Sequence, residues 1–131
     1  MASEILSIKC QIDTDKFDIF THDMRQAVAD GIYDTVVQAK DTVAAYTPYD
    51  PKHAHGGPHL NEPSIYRYEN GTVSLQWRAN NKGFYYAQIQ NSDYTLNHPH
   101  GGRAGFADDA KQIIEENTPT KISSSLRSRG W

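Results

Sequence analysis

Ser64-Ile65-Tyr66-Arg67-Tyr68-Glu69-Asn70-Gly71-Thr72-Val73-Ser74-Leu75-Gln76-Trp77 is the stretch whose reading decides the fold. Its β-branched and aromatic residues favour extended backbone, and Asn70-Gly71 is the preferred pair for a two-residue type I′ turn. The turn predicts two antiparallel strands, over 64–69 and 72–79. With two residues in the turn, Tyr68 falls opposite Val73, Tyr66 opposite Leu75 and Ser64 opposite Trp77. All of these share one face, which is expected to pack into the core.

Working outward, Asn80-Asn81-Lys82-Gly83 reads as a second turn and 84–90 as a third strand, with Tyr85, Ala87 and Ile89 on one side. Near the start, Leu6, Ile8, Cys10 and Ile12 alternate with polar residues, the period of a half-buried strand. Between these lies a helical pattern. Phe17, Phe20, Met24, Val28, Ile32, Val36, Ala39, Val43 and Tyr46 recur every three or four residues, with Asp18, Asp30, Asp34 and Asp41 on the other face. Asp13 and Thr14 offer N-cap oxygens, Gly31 is a point where the helix is expected to kink, and Pro48 ends it. A shorter helix over 104–116 buries Phe106, Ala110, Ile113 and Ile114 and is expected to stop at Thr118-Pro119. The fold class is therefore α+β: a long N-terminal helix packed on an antiparallel meander of three or four strands, with a second, short C-terminal helix. Residues 47–63 and 91–102 are read as long polar loops and 117–131 as a flexible C-terminal tail.

A chain of 131 residues makes one domain, residues 1–131. Its 11% of aromatic residues gives it enough to bury against the ordering entropy. A net charge of −3 argues against a general DNA-coating surface. The single cysteine, Cys10, makes no internal disulfide and no cysteine-based zinc site. The N-terminus lacks the basic and apolar regions of a secretory signal, and no apolar run approaches a membrane span. No nucleophile elbow, phosphate loop or dinucleotide fingerprint occurs, and the neighbours in Asp108-Asp109 and Glu115-Glu116 point apart on a helix. The expectation is a non-enzyme that binds no cofactor.

Five of the six histidines fall in the two polar loops: His53, His55 and His59 in the first, His98 and His100 in the second. His-x-His spacing in extended chain puts both imidazoles on one side, so a metal site drawing on these five is one reading. Metal-bound imidazoles need acceptors behind them and a rigid frame. The glycine-flanked loops hold few acids, which favours histidines that hydrogen-bond within loops or at a protein interface. A third reading is a small nucleic-acid-binding module, using Tyr66, Tyr68, Trp77, Tyr85 and Tyr86 as a stacking platform or the basic tail with Arg127 and Arg129. By the expected alternation, Arg67 and Arg78 lie on the face opposite the aromatics, and core packing explains the rings more simply.

The order of elements resembles a known family. A long helix running into Thr47-Pro48-Tyr49-Asp50 is similar to the helix-to-loop junction of the minor capsid, or head–tail joining, proteins of long-tailed bacteriophages. Those proteins typically read Ala/Thr-Pro-x-Asp-Thr-Gly-x-Leu-Arg there. Tyr85-Tyr86-Ala87-Gln88-Ile89-Gln90 resembles the family's Tyr-Tyr-Ala element, and Asn97-His98-Pro99-His100-Gly101-Gly102-Arg103-Ala104-Gly105-Phe106 its following loop and helix start. The likeness covers residues 15–116. It departs at Asp50-Pro51-Lys52, which replaces Asp-Thr-Gly, and at Leu60-Asn61, which replaces Leu-Arg. The resemblance implies a virion structural protein at the neck or upper tail, made in the host bacterial cytoplasm. It implies a ring of copies, a hexamer or similar, that joins head and tail (tail completion). The ring would lie against other head, neck or tail-tube proteins, close to packaged DNA and to no membrane. Subunit contacts are then expected from Tyr49, Asp50, His53, His55, His59 and Leu60 in the first loop, and from Asn97, His98, His100 and Arg103 in the second. Arg127, Arg129 and Trp131 of the tail are expected to join them.

Overall fold

A computed structural model describes residues 5–11, 21–48, 58–69, 71–81, 83–96, 98 and 101–131. The chain is mixed helix and antiparallel sheet, in keeping with the α+β class. In order the elements are β1 (Leu6–Cys10), α1 (His22–Ala44), β2 (Ser64–Arg67), β3 (Val73–Trp77), β4 (Asn80–Asn81), β5 (Phe84–Tyr85), α2 (Ala87–Ser92) and α3 (Phe106–Ser128). β3 is the central strand of a sheet ordered β1-β3-β2, antiparallel at both pairings. β1 behaves as its alternation predicts: Leu6, Ile8 and Cys10 pack against the core, while Ser7 and Lys9 are exposed.

The hairpin forms where expected, but one residue out of the expected register. Arg67 pairs with Val73, Tyr66 with Ser74, Ile65 with Leu75 and Ser64 with Gln76. The Tyr68 amide donates to the Thr72 carbonyl at 2.9 Å and the Gly71 amide to the Tyr68 carbonyl at 3.0 Å. Three residues, not two, therefore make the turn, with Gly71 at φ +88° supplying the left-handed residue that a three-residue hairpin loop requires. Because side chains alternate, the slip exchanges the two faces of β2. Ile65 goes in against the core and Tyr66 and Tyr68 come out, 38% and 47% exposed. The aliphatic side chain fills the space opposite Leu75 without burying a phenol hydroxyl that would need a partner. Trp77 is buried as expected.

The third strand of the expected meander is mostly absent. Only Phe84 and Tyr85 pair, with Asn81 and Asn80. From Ala87 the chain turns into α2, consistent with the helix preference of Ala87, Gln88 and Gln90. Ala87 stays buried, while Ile89, expected on the same side, is exposed. α2 is held by its tail end. The Asn91 side chain accepts from the Ala107 amide at 2.8 Å, and its carbonyl accepts from the Gly105 amide at 2.8 Å.

Thr21 caps α1: its backbone is extended and its hydroxyl accepts from the Met24 amide at 3.2 Å. A helix unbroken from Thr14 to Tyr46 is therefore ruled out at Thr21. The cap expected at Asp13 and Thr14, and the first turns at Phe17 and Phe20, lie outside the described residues. Downstream the stripe holds, with Val28, Ile32, Val36, Ala39 and Val43 all in the core. Gly31 marks a crossing of helices. A Cβ built there would lie 2.7 Å from the Ile122 Cα. Glycine is needed because the backbones of α1 and α3 meet at that point.

α3 is the largest correction. It runs through Pro119 to Ser128, so the expected short helix and the expected tail over 117–131 are one helix of 23 residues. A proline inside a helix leaves the carbonyl four residues back without its amide and crowds it. Here Pro119 and Glu115, the residue four back, are both exposed. The flanking turn is reinforced by side chains: Asn117 Nδ2 donates to the Ile113 carbonyl and the Thr118 hydroxyl to that of Ile114. Beyond the proline, Ile122 packs on the core and the Ser125 hydroxyl donates to the Ala27 carbonyl of α1. α1 accordingly makes its largest contact with α3 rather than with the sheet. Trp77 of β3 meets Phe106 of α3 edge-on, ring centres 5.8 Å apart, and closes the core between sheet and helices.

Candidate interface at the loop stems

The first polar loop leaves the fold at Thr47-Pro48, just past the end of α1, and the second returns to it at Gly102 and Arg103. The structure brings these stems into direct contact. Gly102 has φ +86°, and a Cβ on it would sit 2.6 Å from the Pro48 nitrogen and 2.8 Å from the Thr47 carbonyl carbon. Only glycine fits both the conformation and the space. The next amide, that of Arg103, donates to the Tyr46 carbonyl at 2.8 Å. This gives a partner to a carbonyl just past the C-cap of α1.

Side chains tie the same junction. The Tyr46 hydroxyl donates to Asp109 Oδ2 at 2.8 Å, and Arg103 reaches the same oxygen at 2.6 Å. The Arg103 guanidinium lies 4.3 Å from the centre of the Tyr46 ring, a cation–π contact. Partial burial and the neighbouring Asp109 carboxylate push the Tyr46 hydroxyl up to about 12. The hydrogen bonds from Tyr46 and then from Arg103 hold the Asp109 carboxyl below its ordinary value. Asp109 thus serves as the shared acceptor of the junction, and its chemistry is structural. Gly105, at φ +85°, turns the chain into α3, with the Tyr94 hydroxyl close against it.

The residues expected at an interface divide into four groups. His59, His98 and Arg103 lie at or near the loop stems. His59 sits in a turn where its amide donates to Glu62 Oε1 and the Glu62 amide donates back to its carbonyl, both at 3.0 Å. The His98 carbonyl accepts from the Gly101 amide at 3.0 Å. Leu60 is in the core, 4% exposed, so it anchors the first loop and does not present a contact to a neighbour. Arg127, Arg129 and Trp131 lie at the opposite end of α1, about 30 Å away at 1.5 Å per residue. Arg127 is exposed there. Arg129 pairs with Asp23 and Asp30, and the Trp131 indole donates to Asp23. Tyr49, Asp50, His53, His55, Asn97 and His100 lie outside the described residues. Among the described residues no three His, Cys, Asp or Glu side chains gather as a metal-binding group, and no helix is long and apolar enough to cross a membrane.

Sequence reasoning missed Tyr46, Asp109 and Asn91 as the residues that fix the second loop. In the sequence Tyr46 falls on the apolar stripe and Asp109 in a pair of solvated neighbours. Their one visible signal is chemical: Arg103 and Asp109 flank the glycine that starts α3. Comparison with protein-family models, with curated proteins and with solved structures returned no match.

Proposed function

We propose that this chain is a structural subunit of a long-tailed bacteriophage virion, one copy in a ring that joins or completes head and tail. The observation that carries the reading is the stem junction. The start of the first polar segment and the end of the second are joined there by backbone contact, an aspartate–arginine pair and a tyrosine. Segments tied together at a common stem are aimed together, which is what a subunit needs to grip its neighbour in a ring. Pre-organised stems also lower the ordering cost of the contact. A helix running into Thr47-Pro48, then an antiparallel sheet, Tyr85-Tyr86-Ala87 and a glycine-rich loop into a helix, supports the same reading by its order.

In this role the chain catalyses nothing and needs no cofactor. Its partners are further copies of itself and the adjoining neck or tail-tube proteins, with packaged DNA close by. The ring is a hexamer or similar assembled from soluble monomers. Immunogold labelling of purified virions whose genome encodes the chain tests the placement: gold at the neck or upper tail is expected. Gold on the capsid faces or tail fibres, or no label on intact and opened particles, overturns it.

A further inference from the structure

The hairpin register turns Tyr66 and Tyr68 outward on the sheet face away from the core, beside a central strand whose Ser74 is fully buried. Tyr66, Ser74 and Lys9 sit side by side across β2, β3 and β1. Tyr68 follows Tyr66 on the same face, about 6.5 Å further along the strand. The Arg78 guanidinium lies 5.3 Å from the Tyr66 ring centre. Arg78 is held there from behind: its Nε donates to Gln76 Oε1 at 2.9 Å, and Gln76 Nε2 donates to the Ser74 hydroxyl at 3.2 Å. The remaining positions of this face in the three strands are Ser7, Ser64 and Gln76. Although acids outnumber bases in the chain as a whole, 16 to 13, this face carries two cations, Lys9 and Arg78, and no carboxylate among the described residues. The nearest acid in sequence is Glu69, in the hairpin turn.

We infer that this face, with Tyr66 and Tyr68 as stacking rings and Arg78 and Lys9 as phosphate partners, binds single-stranded nucleic acid. Exposed aromatic rings at the edge of a sheet take unpaired bases by their π-faces, whatever the base, and flanking cations take the phosphates between them. Two tyrosines at alternate positions of one strand offer successive rings to successive bases. An arginine fixed over one of them loses little freedom when a phosphate or base edge arrives. Duplex DNA, whose bases are already stacked, gains nothing from the rings. The inference does not rest on the ring reading, since it concerns the monomer in solution.

Fluorescence anisotropy of the full-length chain with labelled oligothymidylate and oligouridylate at low salt is the test, with unlabelled duplex as competitor. Binding of one or both single strands is expected, with duplex competing poorly. Tyr68→Ala should weaken it roughly 5- to 100-fold, as the loss of one stacked base requires. Tyr66→Phe should leave it unchanged and Tyr66→Ala should weaken it. Because Tyr66 and Tyr68 are exposed, the alanine variants should melt like the wild type. The log–log salt slope should be shallow, about −1.4 for two cations on a single strand. Absence of binding at low salt overturns the inference. So does equal competition by duplex, or binding that survives both alanine changes and disappears when Arg127 and Arg129 are replaced. Capture of acidic protein segments but no oligonucleotide overturns it too.

Discussion

The two ends of α1 are both tied down by arginine–aspartate pairs, yet they are held in different ways. At the N-terminal end Arg129 spans Asp23 and Asp30 at 2.6 and 2.8 Å, Arg67 reaches Asp30 at 2.7 Å, and the Trp131 indole donates to Asp23 at 2.7 Å. Every one of these bonds joins long side chains, a third to a half exposed in the ion pairs. At the C-terminal end a single pair, Arg103 with Asp109, is backed by a backbone hydrogen bond, a tyrosine hydroxyl and a glycine pressed against Pro48. Exposed ion pairs contribute little and fade with salt, whereas a steric and backbone fit does neither. The end with fewer charges should therefore be the more firmly fixed, and it is the end where the first polar segment begins and the second finishes.

The strongest way to break this comparison is a methyl group at each end. Gly102→Ala places a Cβ against Pro48 at a positive φ and should lower the unfolding free energy by about 3 kcal/mol in urea. Gly130→Ala also sits at φ +85°, but with nothing within 4 Å, and should cost about 1 kcal/mol. Equal losses would mean that the stem contact is not tight. Next in size, Tyr46→Phe removes one bond to Asp109 and should cost about 1 kcal/mol.

That variant also changes the response to pH. Tyr46 is raised from 10.0 to about 12 in the folded state, so its contribution is whole below pH 10 and is lost as pH climbs towards 12. Melting curves across that window should fall more steeply for the wild type than for Tyr46→Phe. Parallel curves would contradict the assignment. The aspartates work in the other direction. Asp109, Asp23 and Asp30 are all lowered, so the stability they contribute is present above the ordinary value of 3.8 and lost as pH drops through their folded values. In Asp109→Asn the acid-induced loss should shrink. The smallest effect belongs to Arg129→Ala. Its melting temperature should fall slightly at low salt and match the wild type at about 0.5 M salt, where exposed pairs are screened. A difference that persists in high salt would place the firmer end of α1 at Arg129.

Much of the frame was legible because its signals are local and repeated. The alternation in β1 and the stripe from Val28 to Val43 each recur often enough that a single odd residue does not disturb them. The hairpin was legible as a hairpin, but its register hung on one turn residue. Gly71 serves a three-residue turn as well as a two-residue one, and core demand for Ile65 over Tyr66 decided between them. Pro119 reads as a stop because the penalty for an internal proline is local, while its compensation is not. The Ile122 and Ser125 contacts that hold the later turns come from α1, nearly a hundred residues away in sequence. The stem junction was hidden for the same reason. Nothing near Tyr46 in sequence names Asp109 as its acceptor, and nothing near Gly102 names Pro48 as the backbone it must clear.

The central claim, that fixed stems aim two polar loops at a neighbour in a virion ring, is tested most directly by cryo-electron microscopy of the neck and upper tail of the virion. The account predicts a ring of this chain in which the parts of the two polar segments between their buried stems, residues 49–59 and 93–101, lie against the next copy or an adjoining protein, with Gly102 still packed on Pro48. A virion without the chain, or a ring whose contacts are made elsewhere while both segments face solvent, would contradict it.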